Sequence, residues 1–400
     1  MIVLIINAGS SSLKYQVLDM SNEQMIAKGL VERIGIEGSK LSQSVGEHKT
    51  VIEAPMKNHT EAIKYMLTAL TDPEKGAIKD MSDIYAVGHR VLHGGEKFCA
   101  SIVINDEVIE AIKENIPLGP LHNPANLMGI EACMEILPNT PMVAVFDTAF
   151  HQTMPKKAYL YGIPLDYYKR LKIRRYGFHG TSHRYVSARV LEFLNMKAEG
   201  SKVITCHLGN GSSISAVQDG KCVDTSMGLT PLEGLLMGTR SGSMDPAVVQ
   251  FIANSDKISV DEVLNICNKK SGLLGISGLS SDMRDIDSAA DNGDENAAVA
   301  RDILVTGIKK YIGAYAAVMG GVDVIVFTAG IGENGPELRE AVMKDMEFLG
   351  AKLDPVKNNC KGKEVIISTD DSKVKIVVIP TNEEIVIARD TLELVKAHLA

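Results

Sequence analysis

The chain has 400 residues, of which 45% are hydrophobic and 23% charged, and its formal net charge is −8 at pH 7. A chain of this length and composition is expected to form a globular protein of two domains. The negative charge and the lack of a basic run argue against a nucleic-acid partner. Cations that bind an anionic ligand must therefore be placed locally.

The amino terminus and the cysteines indicate a compartment. No basic region precedes the apolar residues 1–6, and the run stops at Asn7, so we expect no signal peptide. The apolar stretch 311–327 contains glycines and Asp323, which is typical of a buried helix and a strand instead of a membrane span. The cysteines show no C-x-x-C spacing, so we expect a reduced, cytoplasmic protein without membrane contact.

A strand, a polar turn and a second strand open the chain. Residues 1–6 are typical of a strand buried on both faces, residues 7–12 form a Gly/Ser turn, and residues 13–18 predict the second strand. The backbone N–H groups and hydroxyls of such a turn can bind a phosphate, and Lys14 adds positive charge. For one turn alone, a hairpin without a ligand is the simpler interpretation.

The rest of the first half predicts alternating strands and helices. Asn123 is expected to cap a helix that has Pro124 at its first position. A buried strand delivers Asp147 at its end. The other predicted elements are short strands within 21–50, a helix over 59–70, a strand over 84–87, a helix over 107–116 and a strand over 142–146.

The second half begins near His151 and ends in a helix. The loop 224–246 is too apolar for a disordered linker, and loops of this length are usually functional. Thr381 and Glu384 form a capping box that opens the final helix, which extends to about residue 395. The other predicted elements are a helix over 184–194 and strands over 322–328 and 374–379.

The opening pattern recurs half a chain later. Residues 203–208 predict a strand, residues 209–213 a Gly/Ser turn, and residues 214–217 another strand. This recurrence predicts two related halves that face a shared ligand. Two phosphate-binding turns suit a nucleoside triphosphate.

Residues 330–335 match G-x-G-x-x-G between a strand and a helix. A dinucleotide site of the Rossmann type needs an acidic residue about twenty positions on, after a second strand. Asp354 is the candidate, but residues 351–353 are too short for that strand. We favour a glycine turn that lets adenosine lie against the backbone.

Several side chains are candidates for binding anions or a metal. Arg90 and Arg240 lie in what we predict to be glycine-flanked loops; each alone suits a surface ion pair, but together they would bind carboxylate and phosphoryl oxygens bidentately. Asp147 and Glu383 suit Mg²⁺, which takes one or two carboxylates, although Glu383 could instead complement a helix dipole. His179 is the best candidate for donating to a moving phosphoryl group, and no histidine spacing suits zinc.

Nine motifs, in order, resemble those of the acetate kinase family, in the acetate and sugar kinase/Hsp70/actin superfamily. Single motifs are weakly to moderately specific, but nine in order are a strong signature. They cover residues 7–14, 88–96, 120–126, 146–151, 176–183, 207–213, 238–246, 328–334 and 380–384.

The resemblance implies an α/β, two-domain actin-like ATPase (ribonuclease H-like) fold. It implies a duplicated βββαβα-type core with ATP in the interdomain cleft, and a homodimer. The expected domains are residues 1–150 with the returning helix 384–400, and a nucleotide-binding domain over 151–383.

The resemblance also implies the reaction ATP + acetate ⇌ ADP + acetyl phosphate, by direct in-line transfer with Mg²⁺ or, as a substitute, Mn²⁺. The matches to catalytic residues are Arg90, Asp147, His179 and Arg240, of which His179 and Arg240 stabilise the transition state; the matches on the metal side are Asn7 and Glu383, with Asp147. The matches to the acyl-substrate pocket are Arg90, Leu92, Leu121, His122, Phe178 and Pro231. The matches to the ATP site are Lys14, His207, Leu208, Gly209, Asn210, Gly211, Asp282, Met283, Arg284, Gly330, Ile331, Gly332, Glu333 and Asn334.

Two positions depart from the family pattern. Leu92 stands where valine is commoner. Its extra methylene should crowd longer acyl chains and so discriminate against them by about 1–3 kcal/mol. Met283 stands where an aromatic residue is frequent, so we expect weaker adenine stacking and a relaxed choice of nucleotide.

The chemistry favours a carboxylate acceptor. A sugar hydroxyl needs a general base, for which Asp147 could serve, whereas acetate is already ionised at pH 7. The difficulty is to bring two anions together, and an arginine facing the transferring group contributes about 10³–10⁵ in rate. Propionate or butyrate kinase remains the alternative within the family, and a non-catalytic ATP-driven binding protein is the alternative from another class.

Overall fold

The computed structural model describes residues 1–120 and 122–399. Leu121, which was assigned to the acyl pocket, lies outside these described residues. The chain divides into two compact units. The first unit comprises Met1–Ala149 and Asn382–Ala400, and the second comprises Phe150–Thr381.

Strands and helices alternate along both units. The strands are β1 Ile2–Ala8, β2 Ser12–Asp19, β3 Gln24–Glu32, β4 Lys40–Val45, β5 His48–Glu53, β6 Ile84–Val91, β7 Ile102–Val103, β8 Met142–Phe146, β9 Lys202–Leu208, β10 Ser212–Gln218, β11 Lys221–Thr225, β12 Val324–Thr328, β13 Val365–Ile366 and β14 Lys375–Val378. The helices are α1 His59–Leu70, α2 Asp106–Glu114, α3 Asn123–Ile136, α4 Lys156–Tyr159, α5 Leu165–Leu171, α6 Gly180–Phe193, α7 Ala247–Asp256, α8 Val260–Lys269, α9 Gly272–Ser277, α10 Met283–Asp291, α11 Glu295–Met319, α12 Ala329–Asn334, α13 Pro336–Met343, α14 Pro355–Asn358 and α15 Glu383–Leu399. In the described part of the chain, no helix is both long and apolar enough to cross a membrane.

Strand β1 organises the sheet of the first unit. It pairs antiparallel with β2 and parallel with β6, and the sheet order is β5-β4-β3-β2-β1-β6-β8-β7. One face of β1, with Leu4 and Ile6, belongs to the core that α1 and α3 cover. Helix α15 packs on β1, β6 and β8. Both faces of β1 are therefore covered, as its apolar sequence predicts.

The sheet of the second unit repeats this order. Strands β11-β10-β9-β12-β14 correspond in order and direction to β3-β2-β1-β6-β8: antiparallel pairs first, then parallel ones. Helix α11 belongs to the core on one face of this sheet, and α6 covers the other. The duplicated α/β core is thus confirmed.

Some boundaries differ from the sequence predictions. Arg90 does not lie in a loop, because β6 continues through Gly88 and His89 to Val91. Residues 330–335 do not form an open turn, since residues 329–334 are helix α12. Both Gly/Ser turns are also shorter than predicted. The first is shorter because Asn7 belongs to β1 and pairs with Lys14 on β2, and the second because β10 already begins at Ser212.

Two predicted helix caps are wrong. Asn123 is the first residue of α3, and its side chain instead bonds both backbone groups of His93, at 3.1 and 3.0 Å. Asn382, not Thr381, caps α15, because its Oδ1 accepts from the N–H of Ile385 at 3.1 Å. The Thr381 hydroxyl lies 2.7 Å from the Ser182 hydroxyl instead.

Gly88 permits the close approach of α15 to β6. A Cβ added at Gly88 would lie 2.5 Å from Thr391 Oγ1 and 2.6 Å from Ile387 Cγ2. Real Cβ atoms do not approach so closely, so a larger residue would displace α15. The glycine therefore fixes the helix that carries Glu383 at its first turn.

We expect Gly88→Ala to lower the free energy of unfolding by about 1–3 kcal/mol, because it overpacks this interface. Urea unfolding would measure the loss. Gly313→Ala is the control: it lies within α11 with no atom near its added Cβ, so it should be neutral or gain about 0.5–1 kcal/mol. Equal stability losses in the two variants would contradict the packing argument.

Candidate functional site

Arg90 and Asp147 form a buried ion pair in the first unit. They lie on neighbouring parallel strands: Arg90 is near the end of β6, and Asp147 follows β8 directly. Arg90 Nε donates to Asp147 Oδ1 at 2.9 Å, and Arg90 Nη2 donates to Asp147 Oδ2. Asp147 is 1% exposed, and its charge is the main cause of the raised pKa of Arg90. Asp147 therefore orients the guanidinium and is not a free general base.

Glu383 faces this ion pair from the first turn of α15. Burial raises the pKa of the Glu383 carboxyl to about 7, against the charges of Arg90 and Lys14, which lower it. The like charges of Asp147 and Glu384 raise it further. A carboxylate in this position is stabilised by any additional cation.

The oxygen atoms around Glu383 suit a hard divalent cation. Asn7, Lys14 and Glu384 line one cavity of about 350 Å³ on the face of the first sheet. Within residues 1–120 and 122–399, no group of three or more His, Cys, Asp or Glu is arranged to hold a metal ion. Mg²⁺ needs only one or two carboxylates when waters and substrate phosphates complete its shell. Asn7 and Glu384 bring an amide and a carboxylate to this cavity, and Glu383 is the chain neighbour of Glu384, so the chemistry of these groups fits such an ion.

The raised pKa of Glu383 predicts a pH-dependent stability. Its folded-state pKa of about 7 exceeds the ordinary 4.5, so the folded protein binds the extra proton and loses stability as the pH rises between these values. Glu383→Gln removes this loss. In EDTA, we expect the variant to gain about 1–3 kcal/mol over the parent at pH 8 relative to pH 5.

Urea unfolding at both pH values would measure this difference. The control is Glu107→Gln, because Lys97 lowers the pKa of the exposed Glu107 carboxyl. That variant should show no gain at pH 8. A Glu383→Gln difference that is the same at both pH values would contradict the burial of this carboxyl.

Leu92 lies beside the ion pair in a tightly held segment. It is 6% exposed, and its backbone N–H donates to Asn126 Oδ1 at 3.0 Å. Asn126 Nδ2 in turn donates to the carbonyl of Ala8 at 2.8 Å. Asn126 thus ties the segment after β6 to the end of β1, a role that sequence reasoning missed. His122 immediately precedes α3 in this unit.

In the second unit, His179 and Arg240 flank the turn 209–211. A Cβ at Gly211 would lie 3.4 Å from His179 Nε2 and 3.6 Å from Arg240 Nη1. His179 has a left-handed backbone, with φ of 56°, at the start of α6. This conformation, rare for a non-glycine residue, is a mark of a constrained functional position.

Arg240 has no carboxylate partner among the described residues. Its Nη1 donates to the carbonyl of Pro231 at 3.2 Å and contacts Met237 Sδ at 3.7 Å. The side chain is half-buried, and burial lowers its pKa, which remains that of a strong base. A half-buried cation without a counter-ion is suited to an anionic ligand.

The loop 226–246 shapes the phosphate turn. The N–H of Gly238 donates to the carbonyl of Asn210 at 3.0 Å, and a Cβ at Gly238 would lie 1.8 Å from Asn210 Oδ1. Gly209 closes the turn, with its N–H donating to the carbonyl of Gly211 at 3.1 Å. In the sequence, the Gly-x-Arg pattern of residues 238–240 is what indicates the approach of this loop to the turn at Asn210. Phe178 is 1% exposed, and its carbonyl accepts from His151.

The residues assigned to ATP differ in how much surface they offer. Met283 is 6% exposed and packs in the core, so it presents no broad face to adenine. Leu208 is fully buried, and Glu333 Oε1 accepts from the N–H groups of Ala329 and Thr381, which makes it a structural tie. The side chain of Arg284 is 89% exposed and pairs with Asp282.

The remaining ATP-site candidates of the second unit include residues of α12 and β9. Gly330, Ile331, Gly332 and Asn334 lie on α12, where Asn334 Nδ2 donates to the carbonyl of Gly330 at 2.9 Å and Gly332 is buried. His207, the last residue but one of β9, is 8% exposed and stacks on His179 with ring centroids 4.1 Å apart.

The chain is similar over its whole length to one group of enzymes. Residues 2–389 match the Acetokinase family. The acetate kinase of Thermoanaerobacterium thermosaccharolyticum is 59% identical over 396 residues, covering 99% of this chain and 99% of the relative. The acetate kinase of Thermotoga maritima is 60% identical over 397 residues, covering 98% of each.

Solved structures give the same picture. The crystal structure of Porphyromonas gingivalis acetate kinase matches with a TM-score of 0.95 at 50% identity, over 98% of this chain and 99% of that one. A propionate kinase from Francisella tularensis matches with a TM-score of 0.92 at 42% identity, over the same shares.

Proposed function

Because the chain belongs to the acetokinase family, we propose that it is an acetate kinase, a phosphotransferase that converts ATP and acetate to ADP and acetyl phosphate, reversibly. The observation that carries this proposal is the environment of Arg240. This side chain is a half-buried guanidinium beside the phosphate turn with no counter-ion in the described part of the chain. An in-line transfer between two anions requires such a cation at the moving phosphoryl group.

The second unit supplies the phosphate and transition-state groups. The turn 209–211 offers backbone N–H groups to the polyphosphate, in the manner of anion-binding turns. His179 and Arg240, on either side of Gly211, donate to the transferring phosphoryl oxygens. The exposed positions Arg284, Gly330 and Asn334 support the assignment of the adenosine pocket.

The first unit supplies the acyl-substrate groups. The guanidinium of Arg90 has five N–H donors, of which Asp147 takes two, so three remain for the acetate carboxylate. Leu92 and His122 of this unit are assigned to the acyl pocket by the family resemblance. Because acetate is already ionised, Asp147 needs no role as a base and is free to hold Arg90.

Asn7 and Glu383 would hold Mg²⁺, or Mn²⁺ in its place, with Asp147 nearby. The ion neutralises the phosphate charge when bound. Lys14, exposed opposite Asn7 on the hairpin, adds a cation on the same face of the sheet.

We also propose that the protein is cytoplasmic and a homodimer. The cytoplasmic assignment is supported by the free thiols of Cys99, Cys133, Cys206, Cys222, Cys267 and Cys360. The homodimer rests on the family resemblance alone.

We expect Arg90→Ala and Arg240→Ala each to lower acetyl phosphate formation by about 10³-fold or more, because each removes a cation from the reacting groups. Trapping the product as acetyl hydroxamate from acetate, ATP and Mg²⁺ would measure this. Arg170→Ala is the matched control, since its side chain is 57% exposed and contacts Asp166 and the Tyr167 ring, both on its own helix α5. It should retain the parent rate.

Unchanged turnover in both variants would refute the assigned roles. ATP binding by the parent protein without any hydroxamate would favour the alternative, a non-catalytic ATP-driven binding protein. Retained ATP binding by the inactive variants would confirm that the arginines act on the transfer step.

Propionate kinase is a second candidate, because the Francisella tularensis structure is similar over nearly the whole chain. We expect kcat/KM to favour acetate over propionate and butyrate. Leu92→Val should raise the propionate/acetate ratio by about 10-fold, since one methylene is worth about 1–3 kcal/mol. Ile36→Val, an exposed position, is the control. A parent enzyme that prefers propionate would overturn the acetate assignment.

A further inference from the structure

A continuous chain of hydrogen bonds leads from the interior of the second unit to His179. Thr205 Oγ1 lies 2.6 Å from His183 Nδ1, and His183 Nε2 lies 2.7 Å from Ser213 Oγ. Ser213 Oγ lies 2.9 Å from His179 Nδ1. Thr205 and Ser213 belong to neighbouring strands β9 and β10, and both histidines belong to the start of α6, which packs on this sheet.

The inner members of this chain are closed off from solvent. Thr205, His183 and Ser213 are each 0% exposed. Burial holds the pKa of His183 well below its ordinary value, so its ring is neutral. A neutral imidazole has one N–H donor and one acceptor nitrogen, and each hydroxyl has a single proton to donate. The chain can therefore run in either of two directions. A third arrangement, in which both histidines donate to Ser213 Oγ, is disfavoured because it leaves the buried Ser213 proton without an acceptor among the described residues.

The Thr205 hydroxyl decides between these directions. Apart from His183, it has no hydrogen-bond partner among residues 1–120 and 122–399. If His183 donated from Nδ1, the Thr205 proton would be left without an acceptor in a fully buried position, which is disfavoured. If Thr205 donates to Nδ1, then His183 Nε2–H donates to Ser213, and Ser213 O–H donates to His179 Nδ1. This direction satisfies every donor.

We propose that Thr205, His183 and Ser213 are positioning residues that fix neutral His179 in the tautomer with its proton on Nε2. This nitrogen is the atom that faces Gly211 and Arg240. Under the proposed function, on which its catalytic meaning rests, the chain presents an N–H donor to the phosphoryl group without any proton transfer. No local sequence pattern indicates this chain of bonds, because the four residues come from β9, β10 and the start of α6.

The same chain opposes a second proton on His179. Protonation of Nδ1 leaves one buried hydroxyl proton without an acceptor in either possible arrangement. If both histidines donate to Ser213 Oγ, the Ser213 proton is unpaired, and if the whole chain reverses, the Thr205 proton is unpaired. The other ionisable groups that face His179 and His183 are Arg240 from the loop 226–246, His207 stacked from β9, and His151, whose ring centroid is 5.6 Å from that of His183. Arg240 is a cation and adds to this effect.

Nitrogen-15 NMR of the protein labelled at histidine, without substrates, reads the tautomer directly. His179→Gln identifies the signal of His179 by its loss. We expect Nδ1 of His179 to appear as an unprotonated acceptor and Nε2 as the protonated nitrogen. A protonated Nδ1 at neutral pH would overturn the proposal, and the tautomer is read in the parent protein once the signal is assigned.

Thr205→Val removes the deciding hydroxyl and keeps the shape of the side chain. We expect the midpoint for protonation of His179 to rise, by up to about one pH unit. Without the hydroxyl, His183 Nδ1 is already an unpaired acceptor before protonation, so reversal costs less than in the parent, where it breaks a fully satisfied chain. Thr205→Ser, which retains the hydroxyl, should restore the parent midpoint. Thr225→Val is the matched control, since Thr225 is a fully buried hydroxyl of the same sheet that bonds Ser215 instead. No shift in Thr205→Val, or an equal shift in Thr225→Val, would overturn the proposal.

Kinetics separate this inference from the proposed function. In Thr205→Val, kcat should fall by about two- to fivefold at unchanged KM for acetate and ATP, because fewer molecules offer the Nε2 donor. If Thr205→Val lost activity through a raised KM alone, or if its kcat were unchanged, the role of this hydrogen-bond chain in phosphoryl transfer would be overturned. A parent protein that makes no acetyl phosphate would refute the proposed function, while the tautomer measurement would still stand.

Discussion

The ion pair between Arg90 and Asp147 is the contact on which the acyl side of the first unit depends. It joins two neighbouring parallel strands at the edge where both end, so the sheet itself sets the position of the guanidinium. A chain with a net charge of −8 repels anionic substrates overall. A cation held at a fixed place is therefore needed to attract them locally. The arginine is shared: one carboxylate belongs to the protein, and the remaining donors suit the carboxylate of a substrate.

Duplication gives each unit the same hairpin, but the two turns are held in different ways. In the first unit, His59 Nε2 lies 2.7 Å from the carbonyl of Gly9, and Lys14 supplies charge from the second strand. In the second unit, Gly238 approaches Asn210 closely, and charge comes from Arg240 on the same loop. One backbone plan is therefore used twice, and the positive charge beside the turn comes from a different element in each unit.

Much of this fold could be read from sequence, because the apolar runs and Gly/Ser turns are local signals. The recurrence of residues 1–18 at 203–217 was enough to predict the duplicated core, and α1 and β8 have the predicted bounds. The position of Arg90 was missed because β6 continues through Gly88 only by packing against α15, far away in sequence. The pattern Gly-His-Arg alone indicates a loop.

The candidate site, like the fold, could be predicted from sequence only in part. The types and spacing of Arg90, Asp147, His179 and Arg240 indicated anion chemistry, and the family resemblance implied their roles. The burial of Met283 and the structural use of Glu333 depend on packing that no local pattern records. The link from Thr205 through His183 to Ser213 joins a helix to two strands, so only the folded chain brings it together.

The positive charge of Arg240 is not neutralised by any carboxylate among the described residues. Its acceptors in the described part of the chain are a carbonyl and a thioether, which solvate a guanidinium less well than water does. A small oxyanion that pairs with this guanidinium would supply the negative charge that these two acceptors do not carry.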